Sequence, residues 1–121
     1  MRNFRTLIIW KTGIEIAKEA YLVAGLLPKD ERFRIIDQLT RASVSISLNI
    51  AEGCSRRSEK EYRHYLSIAM GSAFEVETIL KIILELNMVA KAKLEKLIQL
   101  LEEEERMLNT IIRKIKISEK S

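Results

Sequence analysis

An up-down-up-down antiparallel four-helix bundle is the fold this sequence predicts, and three observations predict it. Turn residues are scarce, apolar residues recur at steps of three and four along nearly the whole chain, and the breaks between periodic stretches are short. One Pro and four Gly in 121 residues leave an all-β domain without the turns it needs roughly every 8 to 12 positions. With 47% hydrophobic and 31% charged residues, the composition excludes a disordered tail, a collagen-like fibre and a membrane span. A chain of this length buries roughly two thirds of its unfolded surface, enough for one core but not two. Residues 1–121 are therefore expected to form a single all-α domain.

Leu7, Trp10, Ile14, Ala17, Tyr21 and Ala24 line one side of a first helix over about 6–24, which Gly25 and Pro28 end. Pro28-Lys29-Asp30-Glu31 reads as the next start, since acidic residues suit the positive end of a helix, and Gly53 reads as its stop. That predicts a second helix over about 30–52. Ser58 followed by Glu61 fits a capping box and opens a third helix running to about Leu86. Asn87 is an acceptable left-handed terminator, and the pattern resumes from about Lys91 to Ile117. Links near 25–29, 53–57 and 87–90 force consecutive helices to lie side by side. At 1.5 Å per residue each helix is about 30 to 40 Å long.

The third helix has the cleanest register. Tyr62, Leu66, Ala69, Ala73, Val76, Leu80 and Ile83 alternate four- and three-residue steps, the spacing of a packed seam. Tyr65, Ile68, Ser72, Ile79, Ile82 and Leu86 make a second seam one strip round, interrupted by Glu75, so this helix can touch two neighbours. In the fourth helix Leu97, Leu101, Leu108, Ile111 and Ile115 leave Glu104 in the seam. Either the seam drifts there or Glu104 meets a cation from another helix. Gly71, inside the third helix, reads as a point of close packing.

The second helix carries two apolar arcs. Ile35, Leu39, Ala42, Ile46 and Ile50 form one; Phe33, Val44, Leu48 and Ala51 form the other. A narrow polar stripe of Gln38, Arg41, Ser45, Asn49 and Glu52 runs between them. Only one arc can face its own bundle, so the pattern predicts a second burial partner. Beside its core strip the first helix also carries Ile9, Ile16, Ala20 and Val23. A homo-oligomer is expected, with those four residues and Phe33, Gln38, Arg41, Val44, Ser45, Leu48, Asn49 and Glu52 at its contact. Scattered exposed apolar residues on a monomer are the plainer alternative. The stripe has two readings as well: the lining of a pocket or channel, or hydrogen bonds and ion pairs that fix helix register at the subunit contact. Buried polar groups are costly unless partnered, and specifying geometry is their best attested use, which favours the second.

The 21 Lys and Arg against 17 Asp and Glu give a net charge of +4 and a pI near 9.3, which permits nucleic-acid contact without demanding it. The C-terminal end is a basic tip of Arg106, Arg113, Lys114, Lys116 and Lys120 behind the acidic run Glu102 to Glu105. If RNA or DNA is bound, the expected footprint is Arg56, Arg57, Lys60 and Arg63 at the second link, helped by Arg41, Arg113, Lys114 and Lys116. These cations would neutralise phosphates with little base reading. His64 and Tyr62 are candidates for stacking. The competing reading pairs the cations with Glu59 and Glu61 on a solvated helix start and puts Tyr62 in the core.

Enzyme readings mostly fail. Glu61-x-x-His64 has the spacing found in di-iron bundles, but such a site takes two of those motifs and further Glu, and the chain has one His. No catalytic residue, metal site, phosphate loop or cofactor is expected. Cys54 is the lone cysteine, without a readable Cys-His partner, so no intrachain disulfide can close. No signal segment or apolar run of eighteen residues opens the chain, and a reduced, cytoplasmic protein without membrane association is expected.

The stretch Gln38-Leu39-Thr40-Arg41-Ala42-Ser43-Val44-Ser45-Ile46-Ser47-Leu48-Asn49-Ile50-Ala51-Glu52-Gly53 resembles the signature of the four-helix-bundle family of 23S rRNA intervening-sequence proteins. Arg56, Ser58, Lys60 and Glu61 fall where that family has R-x-S-x-K-E, and Leu66, Ile68, Ala69, Gly71, Ser72, Glu75, Glu77 and Thr78 where it has L-x-I-A-x-G-S-x-x-E-x-E-T. Leu7-Ile8-Ile9-Trp10-Lys11 resembles its L-x-V-W-x opening, and the fourth helix matches in pattern alone. The resemblance implies a bacterial protein related to reading frames inside insertions of large-subunit ribosomal RNA genes. The family is also similar to the basic, pentameric accessory protein of diversity-generating retroelements, which binds nucleic acid. By that analogy a ring-shaped oligomer, a pentamer, is expected here. The resulting expectation is a non-enzymatic, oligomeric scaffold or accessory protein with RNA or DNA as a candidate partner. The alternative is a protein-binding adaptor without nucleic-acid affinity.

Overall fold

The structure, a computed structural model, describes residues 2–120, the last of them by its backbone. Four helices make the frame: α1, Ile8–Ala24; α2, Asp37–Cys54; α3, Glu59–Glu85; and α4, Glu95–Lys120. At 1.5 Å per residue, α3 with 27 residues and α4 with 26 are each about 40 Å long. The 17 residues of α1 and 18 of α2 span only about 26 Å. The difference goes into the connection between them. Pro28 opens not a regular helix but a 3-10 turn, Lys29–Glu31, then a wide π turn, Arg32–Ile36, before α-helical geometry begins at Asp37.

Local chemistry explains the ends. Ser58 Oγ accepts the Glu61 backbone N–H at 3.1 Å and starts α3, and the same hydroxyl donates to the Glu61 carboxylate, so half of the expected capping box forms. Asn87 stops the chain after α3 in the left-handed region, with φ 56°. Gly53 is not a stop. It lies inside the last turn of α2, where a Cβ would fall 2.9 Å from Tyr65 Cβ and 3.2 Å from Tyr62 Cδ1. The glycine lets α3 close on α2 directly after the link.

Contacts fix the topology as antiparallel throughout. Ser45 bonds Ser72 while Gly53 abuts Tyr65, so α2 and α3 run in opposite directions. Arg2 meets Cys54 while Gly13 meets Ser47, which orients the start of the chain and α1 against α2. Glu19 pairs with Lys96 and Gly13 meets Glu104, setting α1 against α4. Arg63 pairs with Glu119 near the start of α3, and Glu77 farther along α3 acts on the Glu105 carboxyl of α4, setting the two helices antiparallel. Each helix packs on its two sequence or ring neighbours, α4 closing on α1.

The core contains the whole first seam of α3, from Tyr62 to Ile83, as its spacing predicts. Leu39, Ala42, Ile46 and Ile50 of α2 join it, whereas Phe33 and Leu48 stand 85% and 62% exposed. The second seam of α3 is only half used: Ser72 and Ile79 are buried, but Ile68, Ile82 and Leu86 face outward. For α1 the sequence expectation is reversed. Ile9, Ile16, Ala20 and Val23, expected at a subunit contact, are buried in the chain's own core, while Ile14 and Tyr21 of the expected core strip are exposed. The reason is steric. Ile9, Gly13, Ile16, Ala20 and Val23 share one face, and Gly13 sits where α1 comes closest to its neighbours: a Cβ there would be 3.2 Å from Ser47 Cβ. The bulk of Trp10 belongs at the edge, where its ring packs 5.2 Å from Phe4.

Glu104 stays in the seam and meets no cation among the described residues. It is wholly buried, one carboxyl oxygen lies 3.3 Å from the Cβ position of Gly13, and neither oxygen has a hydrogen-bond partner among the described residues. Burial, reinforced by the neighbouring Glu103 charge, pushes its pKa up to about 8. Gly71 also departs from expectation. It is exposed, and an added Cβ would meet nothing within 4 Å, so no packing within the chain accounts for it.

Candidate nucleic-acid interface

The α2–α3 link gathers most of the expected basic footprint. Ser55 Oγ donates to the Glu52 carbonyl at 2.7 Å and the Arg56 N–H to the Gly53 carbonyl at 3.1 Å, which turns the chain sharply out of α2. Arg56 then folds back, ion-pairing with Glu52 and laying its guanidinium 4.9 Å from the centre of the Tyr65 ring. One helical face of α3 presents Lys60, Arg63, His64 and Ser67. Arg63 is anchored by Glu119 at 2.9 Å, which draws the end of α4 alongside and brings Lys116 to the same place. The result is a cleft of about 510 Å³ lined by Arg56, Lys60, Glu61, Arg63, His64, Tyr65, Ser67 and Lys116.

Its electrostatics separate two kinds of cation. Arg56 and Arg63 are held in place by Glu52 and Glu119. Lys60 and Lys116, and Arg57 of the α2–α3 link, make no ion pair with any described residue and are exposed. Glu59 pairs with Arg2 at the start of the chain, whereas Glu61, hydrogen-bonded by Ser58, leaves one carboxylate among the four cations of the lining. An anion entering the cleft thus meets free ammonium groups backed by guanidiniums that keep spare donors.

Other parts of the expected footprint lie elsewhere. Arg41 is about 20 Å along α2 from the link and pairs with Asp37 at 3.5 Å, so it is not part of the cleft. Arg113 and Lys114 are exposed on α4 but do not line it. The Lys120 side chain lies outside the described residues. Tyr62 is a core residue, 3% exposed with its ring under the Arg2 guanidinium, and burial raises its phenol pKa. The aromatic wall is instead Tyr65 with His64, ring centres 5.5 Å apart at 77°. Sequence reading placed Tyr65 in a packing seam. The missed signal is that Lys60, His64 and Ser67 are spaced as one helical face beside it. Cys54 is buried beneath the site, with its thiol pKa raised by burial and only partly offset by Arg2.

The polar stripe of α2 is divided between two uses. Asn49 Nδ2 donates to the Ser45 carbonyl at 2.8 Å and to Ser45 Oγ at 2.9 Å, and Ser72 Oγ donates to Ser45 Oγ at 2.8 Å. This network pins α2 to α3 within one chain. Gln38, Arg41 and Glu52 remain exposed, and Arg41 and Glu52 do not pair with each other.

An all-helical antiparallel bundle with a basic cleft at one end is what the fold and site define. The chain belongs to the family of 23S rRNA-intervening sequence proteins, whose family model matches residues 5–110. A crystal structure of a protein of unknown function from the S23 ribosomal protein family of Bacteroides thetaiotaomicron has the same fold, with a TM-score of 0.80 over 87% of this chain and 98% of that one at 23% identity. None of the curated proteins matches the chain. No helix among the described residues is long and apolar enough to cross a membrane.

Proposed function

We propose that this protein is a non-enzymatic, self-associating helical accessory protein of the cytoplasm that holds RNA or DNA by its phosphates in the basic cleft. The observation that carries this reading is the convergence of Arg56, Lys60, Arg63 and Lys116, from the α2–α3 link and the far end of α4, on one concave site. Self-association rests on apolar surface that the chain leaves open. Ile14, Ala17, Tyr21 and Leu22 line a depression of about 520 Å³ on α1, and Phe33 and Leu48 project from the segment before α2 and from α2 itself. A ring, with five copies by family analogy, would multiply one weak cleft into an avid surface.

Titration of a labelled RNA against the protein at two salt concentrations tests the reading. With Lys60, Lys116 and Arg57 each neutralising one phosphate, affinity per cleft should fall about 20-fold between 50 and 200 mM salt. The double variant Lys60→Gln/Lys116→Gln should lower the salt slope by about 1.4 while leaving assembly intact. Absence of binding at low salt would reject nucleic acid as the partner and leave the adaptor.

A further inference from the structure

We infer that the cleft takes a single strand, with an unstacked base seated against the His64–Tyr65 pair, rather than the outside of a duplex; this rests on the phosphate-binding reading above. The first support is shape. The site is a recess of about 510 Å³ with two rings in its lining, the size of a small-ligand pocket. A duplex is convex and keeps its base faces inside the stack, so it would ride on the rim cations and leave the recess empty. A single strand can turn a base inward while its phosphates follow Lys60 and Lys116.

The second support is preorganisation. Tyr65 is half-buried, its Cβ packed against Gly53 and its ring covered by the Arg56 guanidinium, which Glu52 in turn holds. His64, edge-on to Tyr65, is exposed and has no hydrogen-bond or ion-pair partner among the described residues. A planar, solvent-facing ring beside free ammonium groups is the combination that sequence-independent single-strand binding uses. The edge-to-face pair therefore has a rigid member and an open one, and the face of the open one is where a base would lie. Base–aromatic stacking is worth about 1–3 kcal/mol per base, or roughly 5- to 150-fold in affinity.

The test uses the full chain and four probes at 50 mM salt: a 12-nucleotide single-stranded RNA, the same sequence as DNA, the 12-base-pair duplex, and inorganic polyphosphate. Both single strands should bind at least about 5-fold more tightly than the duplex and the polyphosphate. His64→Ala should bring single-strand affinity down toward the duplex value without changing the salt slope, and His64→Phe should restore it. His64 is exposed, so the variants should fold, and circular dichroism checks that. Equal affinity for single strand and duplex, or for single strand and polyphosphate, overturns the inference while the phosphate-binding reading stands. Failure of all four probes to bind overturns both.

Discussion

Replacing Glu104 by Gln should remove a large part of the pH dependence of stability in this bundle. The carboxyl is wholly buried without a hydrogen-bond partner among the described residues, and its pKa is pushed from 4.5 to about 8. Between those values the folded chain holds a proton that the unfolded chain has released, so stability must fall as pH rises through this window and level off above it. At about 1.4 kcal/mol per pH unit the loss at pH 7 is about 3 kcal/mol, and across the whole window about 5 kcal/mol. The whole fold of a chain this size is worth roughly 6 to 18 kcal/mol, so the effect is a large share of it. A Gln has the same shape and no proton to hold, but its amide needs partners. The Ser47 hydroxyl, which donates to the Val44 carbonyl, keeps a free lone pair, and both Ser47 and Glu104 abut Gly13. Allowing about 1–2 kcal/mol for imperfect pairing, the variant should be no more stable than wild type at pH 5 and about 3 kcal/mol more stable at pH 8.5. Urea unfolding followed by circular dichroism from pH 4.5 to 9 measures it. Glu105, raised to about 8 by burial and by its bond to Glu77, will leave a residual slope of the same sign in both proteins. Parallel stability curves for wild type and variant would refute the reasoning.

Four smaller perturbations follow from the same structure. Gly53→Ala forces a Cβ to 2.9 Å from that of Tyr65 and should cost about 1–3 kcal/mol of thermal stability, whereas Gly71→Ala, with nothing within 4 Å, should add about 0.5–1 kcal/mol to the isolated fold and weaken assembly if a second copy approaches there. Ser58→Ala removes the hydroxyl that accepts the Glu61 N–H and should cost about 1 kcal/mol in urea unfolding. Leu48→Lys, at a position 62% exposed, should leave the helical content of the chain unchanged and shift sedimentation toward the 14.0 kDa monomer. Unchanged sedimentation would remove α2 from the contact.

How much of this was legible in the sequence depended on whether one period or two ran along a helix. In α3 the seam from Tyr62 to Ile83 stood out because its four- and three-residue steps run without a polar break, whereas Glu75 interrupts the second seam, and all seven positions of the first are buried. In α1 two apolar strips adjoin, and periodicity alone cannot say which faces in. Steric detail decided it, because Gly13 and Ala20 allow the approach that Trp10 and Tyr21 forbid. Gly13 marked the inward face all along. The π turn at Arg32–Ile36 has no comparable sequence signal, since Ile35 and Ile36 keep the helical spacing. At the cleft, the basic residues of the link were readable from their clustering, but the arrival of Lys116 depends on the Arg63–Glu119 pair, a contact 56 residues apart in sequence.

The antiparallel register also settles what the acidic run does. Glu102 lines a groove with Glu77 and Lys81 toward the C-terminal end of α3, and Glu104 and Glu105 turn inward, leaving Glu102 and Glu103 as its outward charges. Glu103 and Lys116 are 13 residues apart on one helix, so about 20 Å separates the acidic band from the cleft. The screening length at physiological salt is about 8 Å, so the field of the band has largely decayed before it reaches Lys116. The field that a polyanion would meet at the cleft is therefore set by the charges of the cleft itself, Glu61 included, more than by the net charge of +4. A strand leaving the cleft along α4 would run into that band after about four turns, whereas one leaving across the α2–α3 link would meet Arg57 first. Charge placement along α4 thus favours a path around the end of the bundle over one down its side.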